Sequence, residues 1–167
     1  MSLEIRVALP TDAGAIADIY NHFVRCSTCT YQNEPDTPTE RAAWLESHDN
    51  AHPVTVAVRD GEVAGWGALS AFRDRWGYRY TVEDSVYVRE DLHGRGVGKA
   101  LLADLLDRAR SLGHHTMIAG VSAEQTPSIA LHLRFGFIEV ARMREVGHKF
   151  EQWLDVVFLQ LLLSSFR

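Results

Sequence analysis

The chain has 167 residues, of which 46% are hydrophobic and 23% charged. These are ordinary globular proportions for one domain with its own core, and they argue against intrinsic disorder. The formal net charge of -5 argues against nucleic-acid binding as the main activity, because phosphate contacts need a basic surface.

Met1 to Arg6 lacks the basic start and apolar centre of a signal peptide, so a soluble cytoplasmic protein is the expectation. Leu3, Ile5 and Val7 alternate with Glu4 and Arg6, which predicts a first strand. Thr11 or Asp12 can cap the helix that follows, where Ile16, Ile19, Tyr20 and Phe23 share one face. Residues 26–36 read as a loop. Within it, Cys26-Ser27-Thr28-Cys29 has the spacing of a redox pair or half a zinc site. The missing zinc ligands would have to be histidines such as His22, His48 or His52, and the pair follows a helix instead of opening one. Two ordinary thiols and no metal are the expectation. Thr37-Pro38-Thr39-Glu40 is a capping box that opens a helix carrying Trp44 and Leu45.

Val54–Arg59 and Val63–Ala71 read as strands, joined by a tight turn at Asp60-Gly61. Phe72 to Tyr80 is a polar, aromatic bend, and Thr81 to Val88 is a long strand. Arg89 to Gly98 is a glycine-rich loop. The next helix carries Val97, Leu101, Leu102, Leu105, Leu106 and Leu112 as core residues, and Gly113 ends it. His114-His115 reads as a solvated turn. Met117–Val121 is a strand, Pro127–Phe135 a short helix, and two strands close the chain near Phe137–Arg144 and Phe150–Leu162. The apolar stretch Leu154–Leu163 contains Asp155 and Gln160 and is too short to span a membrane. The whole is α+β, a single domain over residues 1–167. Its central sheet is mixed and mostly antiparallel, with helices on both faces.

The strongest local signal runs from Tyr87 to Lys99. Gly94, Gly96 and Gly98 alternate at the junction of a strand and a helix. Glycine lets the backbone turn tightly and lets a ligand approach it closely. Successive N–H groups at a helix N-terminus then make an anion site for a phosphate or pyrophosphate. Arg95 and Lys99 add positive charge. The spacing is neither a Walker A loop nor the dinucleotide fingerprint. A loop that merely connects is the plain alternative.

From Gly96 onward, residues 93–98 match the pyrophosphate loop Arg/Gln-x-x-Gly-x-Gly/Ala, with His93 in place of the arginine or glutamine. Four further stretches match in order: Ile19-Tyr20-Asn21, Thr81 to Val88, Leu131-His132 with Phe135-Gly136-Phe137, and Val146 to Phe150 with Trp153-Leu154-Asp155. In these the chain resembles the GCN5-related N-acetyltransferase (GNAT) superfamily. Within it, the chain resembles the phosphinothricin and methionine sulfoximine acetyltransferases almost end to end.

The resemblance implies the GNAT fold, acetyl-CoA as co-substrate and no metal. It implies that Gly94, Arg95, Gly96, Val97, Gly98 and Lys99 hold the pyrophosphate. It also implies that the backbone of Val86, Tyr87 and Val88 pairs with the pantetheine arm, with the Val88 N–H as oxyanion donor. Gln125 stands where the family has an asparagine that bonds the pantetheine, and Ser128 fits the small polar position after it. Glu83 stands where the family places its general base, which an amine needs because it must lose a proton before attacking a thioester. The alternative for Glu83 is a surface salt bridge. His132 stands where many members carry a tyrosine that protonates the leaving thiolate, and a packing histidine is the alternative.

The resemblance puts acceptor binding on Phe72, Arg73, Arg75 and Tyr78, with Tyr31 as a wall and Glu83 beside them. The match is clear at Arg73, Gly77 and Arg79 and departs at Asp74, Arg75 and Trp76. Guanidinium forks suit a carboxylate and rings suit a side chain, so the expected acceptor is a small amino-acid-like amine. A solvated charged loop is the alternative. A non-catalytic acyl-CoA sensor and a protein N-acetyltransferase are the competing functions. The apolar C-terminal strand, with Trp153 and Phe158, leads us to expect a homodimer.

Overall fold

Four α-helices and seven strands lie along residues 2–163, the part of the chain that the computed structural model describes. The strands are β1 (Leu3–Val7), β2 (Val54–Arg59), β3 (Glu62–Ala71), β4 (Thr81–Val88), β5 (Thr116–Ser122), β6 (Ile138–Lys149) and β7 (Gln152–Leu162). The helices are α1 (Ala13–Cys26), α2 (Pro38–Glu46), α3 (Val97–Ser111) and α4 (Thr126–Arg134). The strands form one sheet in the order β1-β2-β3-β4-β5-β7-β6. Its pairs are antiparallel except β4 with β5. Among the described residues no helix is long and apolar enough to cross a membrane.

Local chemistry explains most of the boundaries. Asp60 and Gly61 both have positive φ, 53° and 82°, as a two-residue hairpin turn requires. At the head of α2, Thr37 Oγ1 accepts the Glu40 N–H (3.2 Å) and the Glu40 carboxylate accepts the Thr37 N–H (2.8 Å). Asp12 precedes α1 but makes no side-chain cap bond to it. Its carboxylate instead takes the Leu9 N–H at 2.7 Å and the Arg6 guanidinium at 2.7 Å, which holds it charged below the usual carboxylate range.

The helices cover both faces. Ile16, Ile19 and Phe23 of α1 pack on Val54, Val56 and Trp66. On the other face Leu102, Leu105 and Leu106 of α3 pack on Leu69, Val82 and Met117, joined by Ile129 and Leu131 of α4. Each such buried side chain contributes roughly 1.5–3 kcal/mol of transfer free energy. Gly65 and Gly67 let α3 lie close to β3: a Cβ on Gly65 would sit 2.8 Å from the Tyr87 carbonyl and 3.2 Å from Leu101.

The structure corrects three of these expectations. β6 runs on to Lys149, and the final turn is Phe150-Glu151, with φ of 50° and 59° and no glycine to announce it. Leu112 lies beyond α3 and is 43% exposed, so it is not core. His114 is buried, with Nε2 2.7 Å from the Ala51 carbonyl, and is not a solvated turn residue.

Candidate active site

The chemistry converges where the sheet divides. β4 and β5 pair only from Thr81 to Glu83, against Thr116 to Ile118. Beyond Glu83, β4 stays with β3 as far as Val88, while β5 stays with β7 as far as Ser122. A cleft therefore opens between β4 and β5. Along β4, the Arg89 N–H donates to Ala64 and the Thr81 carbonyl accepts from Phe72, which sets the antiparallel alternation. That alternation gives the main chain of Ser85 and Tyr87 to β3 and turns the N–H and C=O of Val86 and Val88 into the cleft. Tyr87's main chain is thereby used by the sheet, between the two residues whose main chain faces the cleft. The Val88 carbonyl lies 2.9 Å from His93 Nε2, whose ring stacks on Phe23. So the histidine that replaces an arginine or glutamine points inward to the mouth of the cleft.

The glycine loop stands at that mouth. Gly94 and Gly96 have φ of 73° and 84°, and a Cβ on either would meet nothing within 4 Å among the described residues beyond its chain neighbours. Gly96 is the N-cap of α3, so the first N–H groups of the helix, including Val97, Gly98 and Lys99, have no intrahelical acceptor. Arg95 and Lys99 are exposed beside it. Gly98 is already helical, and a Cβ there would touch Leu131 and Val88 at an ordinary 3.6 Å. Across the cleft, Gln125 precedes α4. Its Nε2 donates to Thr28 Oγ1 at 3.2 Å, which ties it to the loop after α1. Ser128 sits in the first turn of α4, and its carbonyl lies 2.8 Å from His132 Nδ1.

Glu83 marks the apex. Val82 is in the α3 core, so Glu83 points to the α1 face, opposite Ser70 of β3. Its carboxylate lies over Gly120 of β5, where a Cβ would sit 3.3 Å from Oε1 and 3.3 Å from Phe158. Burial, and then the charge of Asp84, push its pKa above the usual glutamate value. No salt bridge holds it among the described residues. Gly120 was not singled out from the sequence. The available signal was a glycine inside a buried strand, which often marks a close approach.

Asp84, on the opposite face, pairs with His132. Asp84 Oδ2 and His132 Nε2 are 2.9 Å apart, and both side chains are buried. Both ring nitrogens face acceptors, the Asp84 carboxylate and the Ser128 carbonyl, so the ring is suited to carry two protons. Burial pulls its pKa down, but the hydrogen bond and charge of Asp84 outweigh that and the net direction is up. As placed, neither N–H is free for a thiolate. Donation requires the Asp84 bond to open.

The residues expected to bind the acceptor divide into two groups. Arg73 and Arg75 are exposed on the 72–80 bend, with the Arg73 guanidinium 5.2 Å from the Phe72 ring and 6.0 Å from the Tyr78 ring. This bend leads directly into β4 and so to Glu83. Tyr31 comes from the loop after α1, donates to the Asp155 carbonyl at 3.1 Å, and packs on Gly147. Two cavities, of about 630 and 700 Å³, lie elsewhere. The first lies between α2 and α3, beside Leu45 and Asp104, and the second is beside α1, at Asp18 and Glu62. Neither is lined by Glu83 or by Gly94 to Gly98.

The model of the acetyltransferase (GNAT) family matches residues 16–137. The chain is 41% identical over 164 residues to an L-amino acid N-acyltransferase of Escherichia coli K12, covering 98% of this chain and 95% of that one. It is 40% identical over 164 residues to an L-methionine sulfoximine/L-methionine sulfone acetyltransferase of Salmonella typhimurium, covering 98% and 96%. A phosphinothricin acetyltransferase of Sinorhizobium meliloti, solved in complex with AcCoA, superposes with a TM-score of 0.94 at 37% identity, covering 97% of this chain and 89% of that one. The divided sheet, the glycine loop at its mouth and relatives that align end to end agree: the chain belongs to the GNAT family of acetyltransferases.

Proposed function

We propose that the protein transfers acetyl from acetyl-CoA to the amine of a small amino-acid-like acceptor, of the phosphinothricin or methionine sulfoximine and sulfone type. The observation that carries this is the position of Glu83, a half-buried carboxylate with raised pKa at the apex of the β4/β5 cleft. The residues present suit acetyl-CoA. Gly94 and Gly96 leave their backbone open, the head of α3 offers N–H donors to a pyrophosphate, and Val86 and Val88 offer main chain to an amide-bearing arm. The thioester supplies the activated acetyl group.

In this reading Glu83 takes a proton from the acceptor ammonium, which frees the nitrogen lone pair for attack on the thioester carbonyl. The Val88 N–H, turned into the cleft, is the donor for the charge that develops on the carbonyl oxygen, typically worth about 3 kcal/mol of barrier. His132 contributes a charged ring, held by Asp84, whose proton reaches the thiolate only when that bond opens. Thiol release from acetyl-CoA, screened over amino acids and their sulfoximine, sulfone and phosphinate analogues, tests the assignment. No release with any of them would overturn it.

The acceptor's carboxylate is assigned to Arg73 or Arg75. A bidentate charged hydrogen bond contributes roughly 1.5–3 kcal/mol, so Arg73→Ala or Arg75→Ala should cost about tenfold to a hundredfold in kcat/KM on an amino acid. The decarboxylated analogue should lose little. Equal losses on both acceptors would remove the arginines from carboxylate recognition.

The working unit is proposed to be a homodimer. β6 is an edge strand on which Ile138, Val140, Met143 and Val146 are 47–63% exposed, and Trp153 beside it is 66% exposed. A second copy covering this edge would satisfy its apolar surface and its unpaired main chain. A monomer mass by light scattering at micromolar concentration would refute it. Free thiols at Cys26 and Cys29 suit a reducing, cytoplasmic setting.

A further inference from the structure

Lys149, the last residue of β6, is 3% exposed. Its Nζ donates to the carbonyls of Ser27 (2.6 Å), Thr30 (2.8 Å) and Phe23 (3.5 Å). An ammonium has three donors, and here each has a carbonyl. Phe23 lies in the last turn of α1 and Ser27 follows its end, where a cation also suits the helix dipole. A buried charge is costly to desolvate, and burial does pull the lysine's pKa below its usual value. What the charge holds in return is the segment 27–32.

That segment touches both sides of the divided sheet. Toward β4, the Cys29 carbonyl accepts from the Tyr87 hydroxyl at 3.5 Å. Toward α1, Thr30 Oγ1 lies 2.8 Å from the Tyr20 hydroxyl. On the far side of the cleft, Thr28 Oγ1 meets Glu124 at 2.8 Å and Gln125 at 3.2 Å, ahead of α4. Tyr31 reaches β7 at the Asp155 carbonyl, and its ring fills the place of a Gly147 side chain, 2.3 Å from where a Cβ would be. The segment is thus a strap laid across the cleft on the α1 face, the face toward which Glu83 points.

We propose that Lys149 is a positioning residue that fastens this strap across the cleft and so fixes Tyr31 as a wall for the acceptor. This rests on the reading that the acceptor lies on the α1 face beside Glu83. The structural and kinetic consequences can be measured separately. In a Cys26→Ser background, Cys29 is the single thiol and reports on the strap from within it. Lys149→Met keeps the length of the side chain and removes all three donors. Labelling of Cys29 by a thiol reagent should speed up about tenfold, and the acceptor KM should rise about tenfold, with the acetyl-CoA KM changed less than about twofold. Lys149→Arg, which keeps a cation and donors, should recover part of both effects. Should Lys149→Met not fold, Gly147→Ala leaves the lysine in place, displaces the Tyr31 ring, and should raise the acceptor KM alone. Unchanged Cys29 labelling in Lys149→Met overturns the strap. Faster labelling with an unchanged acceptor KM overturns the proposal through the acceptor placement on which it rests. Equal rises in both KM values overturn it as general damage.

Discussion

Glu83→Gln is expected to lower turnover by about a hundredfold to ten-thousandfold, the range that a positioned general base contributes, while acetyl-CoA affinity stays unchanged. The separation follows from geometry. Glu83 points to the α1 face at the apex, whereas the glycine loop assigned to the pyrophosphate lies at the other end of β4. The pH dependence carries a sign. Burial and Asp84 raise the pKa of Glu83, and the base works deprotonated, so kcat/KM should fall as pH drops through a value above that of an ordinary glutamate. The glutamine variant should lose this limb altogether. Gly120→Ala gives an independent reading, because its Cβ would crowd Oε1 from 3.3 Å and Phe158 from the same distance. It should lower turnover in the same direction but by less. Steady-state kinetics over the pH range in which the protein stays folded measures all three. If Glu83→Gln keeps the turnover of the parent, another group takes the proton.

What could be read from the sequence was local. The Asp60-Gly61 turn, the Thr37 cap and the glycine loop each depend on a few adjacent residues and their φ preferences. The strand Thr81–Val88 was read between the bend and the glycine loop, and the carboxylate within it came from the matched stretch. What could not be read depends on pairing between distant segments. The division of the sheet arises because β4 and β5, joined through α3, share only three residue pairs, and no local pattern encodes where a parallel pair stops. His132 and Asp84 are 48 residues apart, and Lys149 lies more than 100 residues from every carbonyl it holds. α2 adds a side chain of the same kind. Trp44 and Leu45 mark its apolar side, yet its buried residue is Arg41. The Arg41 guanidinium lies 4.2 Å from the Tyr20 ring and 4.5 Å from the Trp44 ring and pairs with Asp36. An arginine enclosed by rings and a carboxylate reads in sequence as one more surface charge.

Gly96→Val is expected to weaken acetyl-CoA binding by about a hundredfold or more while the fold survives. Gly96 has φ of 84°, a region that a β-branched residue adopts only under strain of about 1–3 kcal/mol. Among the described residues, chain neighbours aside, no atom lies within 4 Å of a Cβ at this position, so there is strain without a clash. The new side chain would instead project over the head of α3, onto the N–H groups proposed to hold the pyrophosphate. Gly98→Ala is the matched control. Gly98 is helical, the Cβ would meet Leu131 and Val88 at 3.6 Å, and alanine is an accepted residue at the equivalent position of the loop motif. Its affinity should stay close to that of the parent. Calorimetric titration of both variants with acetyl-CoA separates a specific cradle from a loop that only connects β4 to α3. Unchanged affinity in Gly96→Val would remove the loop from the binding site, and equal losses in the two variants would point to disturbance of the α3 head instead of obstruction at one residue.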